Sequence, residues 1–127
     1  MPDERELAEM TRFNDELVNT GVMLAGEGLH PSTNGARIKF TGGSPSVTSG
    51  PFGEPYQLVA GYWVIQAASL DEAIDIMKQA PMGEANEIEV RQVFDADEFG
   101  EAFTPELRAR EERQRVKMER NAKGRAA

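Results

Sequence analysis

The sequence predicts an α+β fold, and three observations carry that reading. Two stretches repeat apolar residues every three or four positions, as amphipathic helices do. Several shorter runs alternate, or stay apolar over lengths typical of strands. Clusters of glycine, proline and serine punctuate them, so the elements follow one another through turns within a single 127-residue chain.

The first helix is expected over residues 3–20: Pro2 and Asp3 open it, Leu7, Met10, Phe13 and Leu17 line one face, and Gly21 is placed to stop it. Val22-Met23-Leu24-Ala25 is too short and too apolar for a helix and reads as a buried strand. It feeds a loop through Gly26-Glu27-Gly28-Leu29-His30-Pro31. Residues 36–40 alternate, with Arg37 and Lys39 on a wet face. Thr41-Gly42-Gly43-Ser44-Pro45 is a turn, and residues 46–49 return as the hairpin partner. A Gly50-Pro51 corner follows: Gly50 can take a backbone conformation closed to other residues, Pro51 locks its own φ, and Phe52 directly after them must find cover for a large ring.

Residues 59–67 form the strongest strand, since Tyr62, Trp63, Val64 and Ile65 are all β-favouring and suggest burial on both faces. Ser69 with Glu72 has the form of a capping box, and Ala73, Ile74, Ile76 and Met77 line a second helix reaching Ala80-Pro81. A last strand is expected over residues 87–93, with Ile88 and Val90 alternating against Glu89 and Arg91. Residues 95–100 are acidic and irregular. Thr104-Pro105-Glu106 then supplies an N-cap, a first-turn proline and an acidic first turn for a tail helix. That helix holds little apolar material beyond Leu107, Val116 and Met118, so it contributes little to a core. The boundary between domain and charged helical tail is placed at residues 1–100 and 101–127.

Charge divides the chain more sharply than hydropathy does. Residues 105–127 carry eight Lys/Arg against four Asp/Glu, whereas residues 1–104 carry six against eighteen. A body with that acidic excess disfavours nucleic acid, and the alternating signs of the tail read as a solvated helix. No apolar run approaches the roughly 20 residues of a membrane span. The acidic N-terminus lacks the order of a secretory signal, which places the protein in the cytoplasm. With no cysteine and one histidine, thiolate and multi-histidine metal sites are excluded, and no cofactor is expected.

Several passages together resemble the YCII-related family, in the subgroup known for an Asp-Gly-Pro-Phe signature. The match here runs Ser49-Gly50-Pro51-Phe52, with serine at the aspartate position. Ala25-Gly26-Glu27-Gly28-Leu29-His30-Pro31, Gly61-Tyr62-Trp63 and Glu89-Val90-Arg91 extend the resemblance to roughly residues 7–100. It implies a ferredoxin-like unit of the dimeric α/β barrel type, and hence a homodimer. A ferredoxin-like unit opens on a strand and this chain opens on a helix, so the first strand is expected to be missing, with Met1 an internal methionine or the chain truncated.

His30 is the natural acid or base, the one side chain whose unperturbed titration lies near neutrality, at a glycine-loosened strand end. A surface-loop histidine, or one satisfied by a backbone carbonyl, fits the same position. Resemblance adds a functional partner, because family members have been proposed to use a histidine with an aspartate. Ser49 stands where that aspartate would be, and a hydroxyl supplies no negative charge to steady an imidazolium. Ser49 as a nucleophile lacks the strand-turn-helix context of a Gly-x-Ser-x-Gly serine. Glu27, Glu54 and Glu89 could replace the missing charge, or simply be solvated faces. Ser49, Gly50, Pro51, Phe52 and Trp63 are the candidate ligand-binding residues, although aromatics in a strand serve a core equally well.

Two functions follow as expectations. One is a small-molecule pocket near His30 and the Gly-Pro corner. The other is a non-catalytic dimeric interaction or regulatory module associated with transcription control, because relatives of this kind often accompany sigma factors of the extracytoplasmic-function type.

Overall fold

In the computed structural model, which describes residues 2–53, 58–84 and 86–126, the elements run α1 (Glu4–Asn19), β1 (Met23–Gly28), β2 (Ala36–Thr41), β3 (Ser44–Ser49), β4 (Gly61–Ile65), α2 (Leu70–Met77) and α3 (Pro105–Ala126). Short 3₁₀ turns occupy Ser32–Asn34 and Ala96–Ala102. The α+β class stands, and the elements are compatible with a ferredoxin-like unit. The chain divides into two compact units, Met1–Val90 and Arg91–Ala127.

In the first unit, α1 starts on a reciprocal cap. The Asp3 carboxylate accepts from the Glu6 amide at 2.8 Å, and the Glu6 carboxylate accepts from the Asp3 amide at 3.0 Å. The helix ends at Thr20, where Gly21 turns the chain with φ +78°. Phe13 and Leu17, one turn apart, are buried, and Met77 from α2 joins them. Met10, Met23, Trp63, Ile65, Ile88 and Val90 pack around this nucleus.

β1 pairs antiparallel with β4, in a register setting Gly26 beside Trp63 and Gly28 beside Gly61, with a bulge between Met23 and Ala25. The ladder therefore continues through the glycines, and the loop expected from Gly26 begins only after Gly28. β1 is also wetter than expected, with Leu24 exposed. β4 is shorter than the predicted 59–67 and not buried on both faces: Tyr62 is exposed, and Val59 lies outside the strand in open solvent.

β2 and β3 form a separate hairpin. Its turn is only Gly42 and Gly43, with φ +59° and +91°. Two successive positive φ values are what a tight two-residue hairpin loop demands, and glycine supplies them without strain. β3 consequently begins at Ser44, and Pro45 sits inside it opposite Phe40. Ala36, Ile38, Phe40, Pro45 and Val47 share one face by alternation, and Arg37, Lys39, Ser46 and Thr48 the other.

α2 ends at Met77, before the predicted Ala80-Pro81. Its N-cap works as expected at Ser69, whose hydroxyl accepts from the Glu72 amide, while the Glu72 carboxylate takes the Ala68 amide instead of that of Ser69. The strand expected over residues 87–93 is not formed: among the described residues this stretch enters no ladder. Alternation correctly reported that Ile88 and Val90 point inward. What it could not report is whether a neighbouring backbone lies alongside, and a strand exists only by pairing.

The second unit holds a capped 3₁₀ turn and the tail helix. Asp95 and Glu98 cap Ala96–Ala102 reciprocally. Phe99 packs between Phe94 and Phe103, with centroid separations of 5.0 and 5.6 Å. Thr104 caps α3 as expected, its hydroxyl accepting from the Leu107 amide at 3.2 Å. Arg108 reaches the Asp97 carboxylate at 2.7 Å and the carbonyls of Ala96 and Phe103, fastening the first turn of α3 to the segment before it.

With so small a nucleus in the first unit, each buried ring carries a large share of its stability. Phe13→Ala is expected to lower the unfolding free energy by about 3–5 kcal/mol, the usual range for a buried phenylalanine truncated to a methyl. Urea denaturation of the variant against wild type measures it.

Candidate functional site

The candidate site is built where the chain between β1 and β2 meets the chain leaving β3. After Gly28 the Leu29 amide donates to the Ala60 carbonyl at 2.8 Å, one step beyond the β1–β4 ladder. Pro31 then fixes its φ at −55° and starts a 3₁₀ turn, closed by the Asn34 amide on the Pro31 carbonyl and the Gly35 amide on the Ser32 carbonyl, both at 3.0 Å. That turn brings the Asn34 side chain back onto His30, where its amide Nδ2 donates to the ring Nδ1 at 2.9 Å.

The Gly-Pro corner docks onto the same turn. The Gly50 amide donates to the Gly35 carbonyl at 2.8 Å, and the Phe52 amide donates to the Ser32 hydroxyl oxygen at 3.2 Å. The Gly50–Pro51 peptide bond is cis. Gly50 is required here by space: a Cβ would overlap the Ser32 carbonyl. Its φ is not positive, so the backbone freedom expected at this residue is not what the corner uses. The Arg37 guanidinium lies over the half-buried Phe52 ring, 4.0 Å from its centroid, a cation–π contact that helps cover the ring.

Of the residues singled out from the sequence, His30, Gly50, Pro51 and Phe52 thus fall within one network of contacts. Ser49 adjoins it in sequence, but its register partner is Ala36, and alternation puts its side chain on the face of Ile38 and Val47. Trp63 is committed elsewhere. Its ring meets Phe13 edge-on at 6.1 Å, and its indole N–H donates to the Asn14 carbonyl oxygen at 2.9 Å. Glu27 lies in β1 opposite Tyr62, and Glu54 lies outside the described residues.

Four residues of the network, Ser32, Asn34, Gly35 and Arg37, were not singled out from the sequence. Ser32 and Asn34 belong to Pro31-Ser32-Thr33-Asn34-Gly35, a run of turn-forming residues whose Asn-Gly end returns toward His30. Arg37 was legible only as part of a wet strand face, since nothing local announces that a ring fifteen positions later will lie beneath it.

The arrangement determines what the imidazole can do. With Nδ1 accepting from an amide, the neutral ring carries its proton on Nε2 and presents a donor there. Among the described residues no carboxylate is bonded to this network. Two open grooves on this unit lie elsewhere, one beside the start of α1 with Leu7, Met10 and Met82, the other along α2 with Ile74, Met77 and Ile88. No described helix is long and apolar enough to cross a membrane.

A small α+β domain whose glycine-proline corner is seated against a histidine-bearing loop defines the class. Residues 1–97 match the model of the YCII-related domain, and the chain belongs to that family. It is similar to an uncharacterised protein of Rhizobium meliloti (strain 1021), at 32% identity over 76 residues, which cover 60% of this chain and 61% of that relative. The match thus spans about three fifths of the relative's length.

Gly50→Ala tests how firmly the corner is seated. Because the added methyl meets backbone, which cannot swing aside as a side chain can, the expected cost is about 1–3 kcal/mol, typical of overpacking. Thermal unfolding gives the loss, and displaced amide resonances of Ser32 and Phe52 locate it.

Proposed function

We propose that this protein is a homodimeric small-molecule-binding domain of the Asp-Gly-Pro-Phe subgroup, acting in the cytoplasm. In this reading His30 and the Gly50-Pro51-Phe52 corner hold the ligand by hydrogen bonding and packing, without acid–base catalysis. The observation that carries it is the bond from the Asn34 amide to His30 Nδ1. A neutral amide orients the ring and leaves Nε2–H as a donor, but it gives no electrostatic support to an imidazolium.

A ligand screen by thermal shift, run on wild type and His30→Ala, tests the reading. The expected outcome is a compound that raises the melting temperature of wild type and fails to raise that of His30→Ala, whose unliganded melting temperature is unchanged. A ligand at a hundred times its dissociation constant contributes about 2.7 kcal/mol, an easily read shift. Equal stabilisation of both proteins by every hit would remove His30 from the site.

A specific observation favours association as part of the function. The buried hydrophobic core is only Phe13, Leu17, Ala73 and Met77 among the described residues, whereas Ile38, Phe40 and Val47 stay more than half exposed on one hairpin face, Phe40 at 78%. A two-stranded hairpin is marginal by itself in water. A second copy that covers this apolar surface and pairs open strand edges would give the dimeric α/β barrel. The second reading takes this association as the whole function, a regulatory module associated with transcription control. It gains if the screen yields no ligand while the dimer holds. Sedimentation is expected to give twice the 14.0 kDa of the chain, with a melting temperature that rises with protein concentration. A single-chain mass throughout would exclude both the dimer and the module.

A further inference from the structure

We propose that Arg37 is a ligand-binding residue and that the small molecule held at the corner is an anion, a carboxylate or a phosphate monoester. This rests on the ligand-binding reading of the His30 corner and names the chemistry of what binds there.

The argument is an account of the hydrogen-bonding groups. Three acceptors of the network are already engaged: the Gly35 carbonyl by the Gly50 amide, the Ser32 hydroxyl oxygen by the Phe52 amide, and His30 Nδ1 by the Asn34 amide. The Gly50 and Phe52 amides are thereby spent as well. Two side-chain donors of the network remain for a ligand, His30 Nε2–H and the guanidinium of Arg37, and the second carries a positive charge. Two donors call for a ligand made of acceptors, and a guanidinium is matched best by the paired oxygens of a carboxylate or phosphate.

Arg37 is also prepared for that use. Its guanidinium sits over the Phe52 ring, and Phe52 is itself tied through its amide to Ser32, in the turn whose Asn34 orients His30. A ring beneath the guanidinium restrains it. Among the described residues no carboxylate pairs with Arg37, although the chain has eight more acidic than basic groups. Arg5, by contrast, is bridged to Glu9 at 3.2 Å on its own helix. A guanidinium placed on an aromatic platform, with no acidic partner among the described residues, is suited to an external anion.

Titrating the full-length protein with benzoate, inorganic phosphate and neutral benzamide at constant ionic strength tests this, followed by NMR at the Arg37 side-chain N–H, the Phe52 amide and the His30 ring. Benzoate or phosphate is expected to move these signals saturably and benzamide to leave them unmoved. Which anion responds decides between carboxylate and phosphate. Arg37→Gln should weaken the response at least tenfold. Arg37→Lys, which keeps the charge and loses the fork, should fall between, and Arg12→Gln on the exposed side of α1 should behave as wild type. No saturable response to either anion, or the same response in Arg37→Gln as in wild type, overturns the proposal. A ligand that requires His30 yet binds Arg37→Gln at full strength overturns it too, and leaves the ligand-binding reading standing. Anion binding that requires Arg37 and ignores His30→Ala keeps Arg37 as the anchor and removes His30 from the site.

Discussion

The first unit depends on a single edge-on contact. Trp63 in β4 presents its ring at 88° to Phe13 in α1, and its N–H takes up the Asn14 side chain on the same helix. An indole is large, mostly apolar and carries one donor, so it can bury area only if that donor is satisfied. Asn14, the residue after Phe13, satisfies it. The pair therefore fixes both the distance of α1 from the β1–β4 ladder and its rotation about its own axis. Met10, Leu17 and Met77 can then close around Phe13, because the helix already presents that face. The same commitment explains why Trp63 does not serve the corner: a ring used to hold the helix is not free to wall a ligand.

The elements legible in the sequence were those whose cause is local. Asp3 with Glu6, Ser69 and Thr104 each announce a helix start, because a cap is a bond between neighbours in the chain. The Gly42-Gly43 turn was equally plain in kind, though its residues allowed a tighter hairpin than the five-residue turn expected. Misreadings arose where the deciding partner lies far along the chain. Gly26 and Gly28 look like loop residues until β4 is set beside them. Residues 87–93 look like a strand until one asks what pairs with them. Alternation records which side chains go inward and is silent about hydrogen bonds, so Ile88 and Val90 were placed correctly inside an element that does not form.

The candidate site shows the same division. His30 and the Gly-Pro corner stand out by composition, one as the lone histidine and the other as a rigid bend before an aromatic ring. Their conjunction is not local, for it depends on the Gly50 amide finding the Gly35 carbonyl and the Phe52 amide finding Ser32, twenty positions earlier. The glycine at position 50 was recognised for the wrong reason. Its value lies in the missing side chain, which lets two backbones approach as no other residue would permit.

Serine at position 49 and arginine at position 37 are best understood together. The two stand one register step apart on adjacent strands, and alternation sends their side chains to opposite faces of the hairpin. The serine is uncharged and lies on the apolar face, while the guanidinium rests on Phe52 with no carboxylate paired to it among the described residues. Proton transfer at a histidine gains from a carboxylate that steadies the charged ring, whereas recognition of an acceptor gains from the absence of one that would compete for the same donors. Around His30 the described contact is an amide on Nδ1, and no described carboxylate is bonded to the ring.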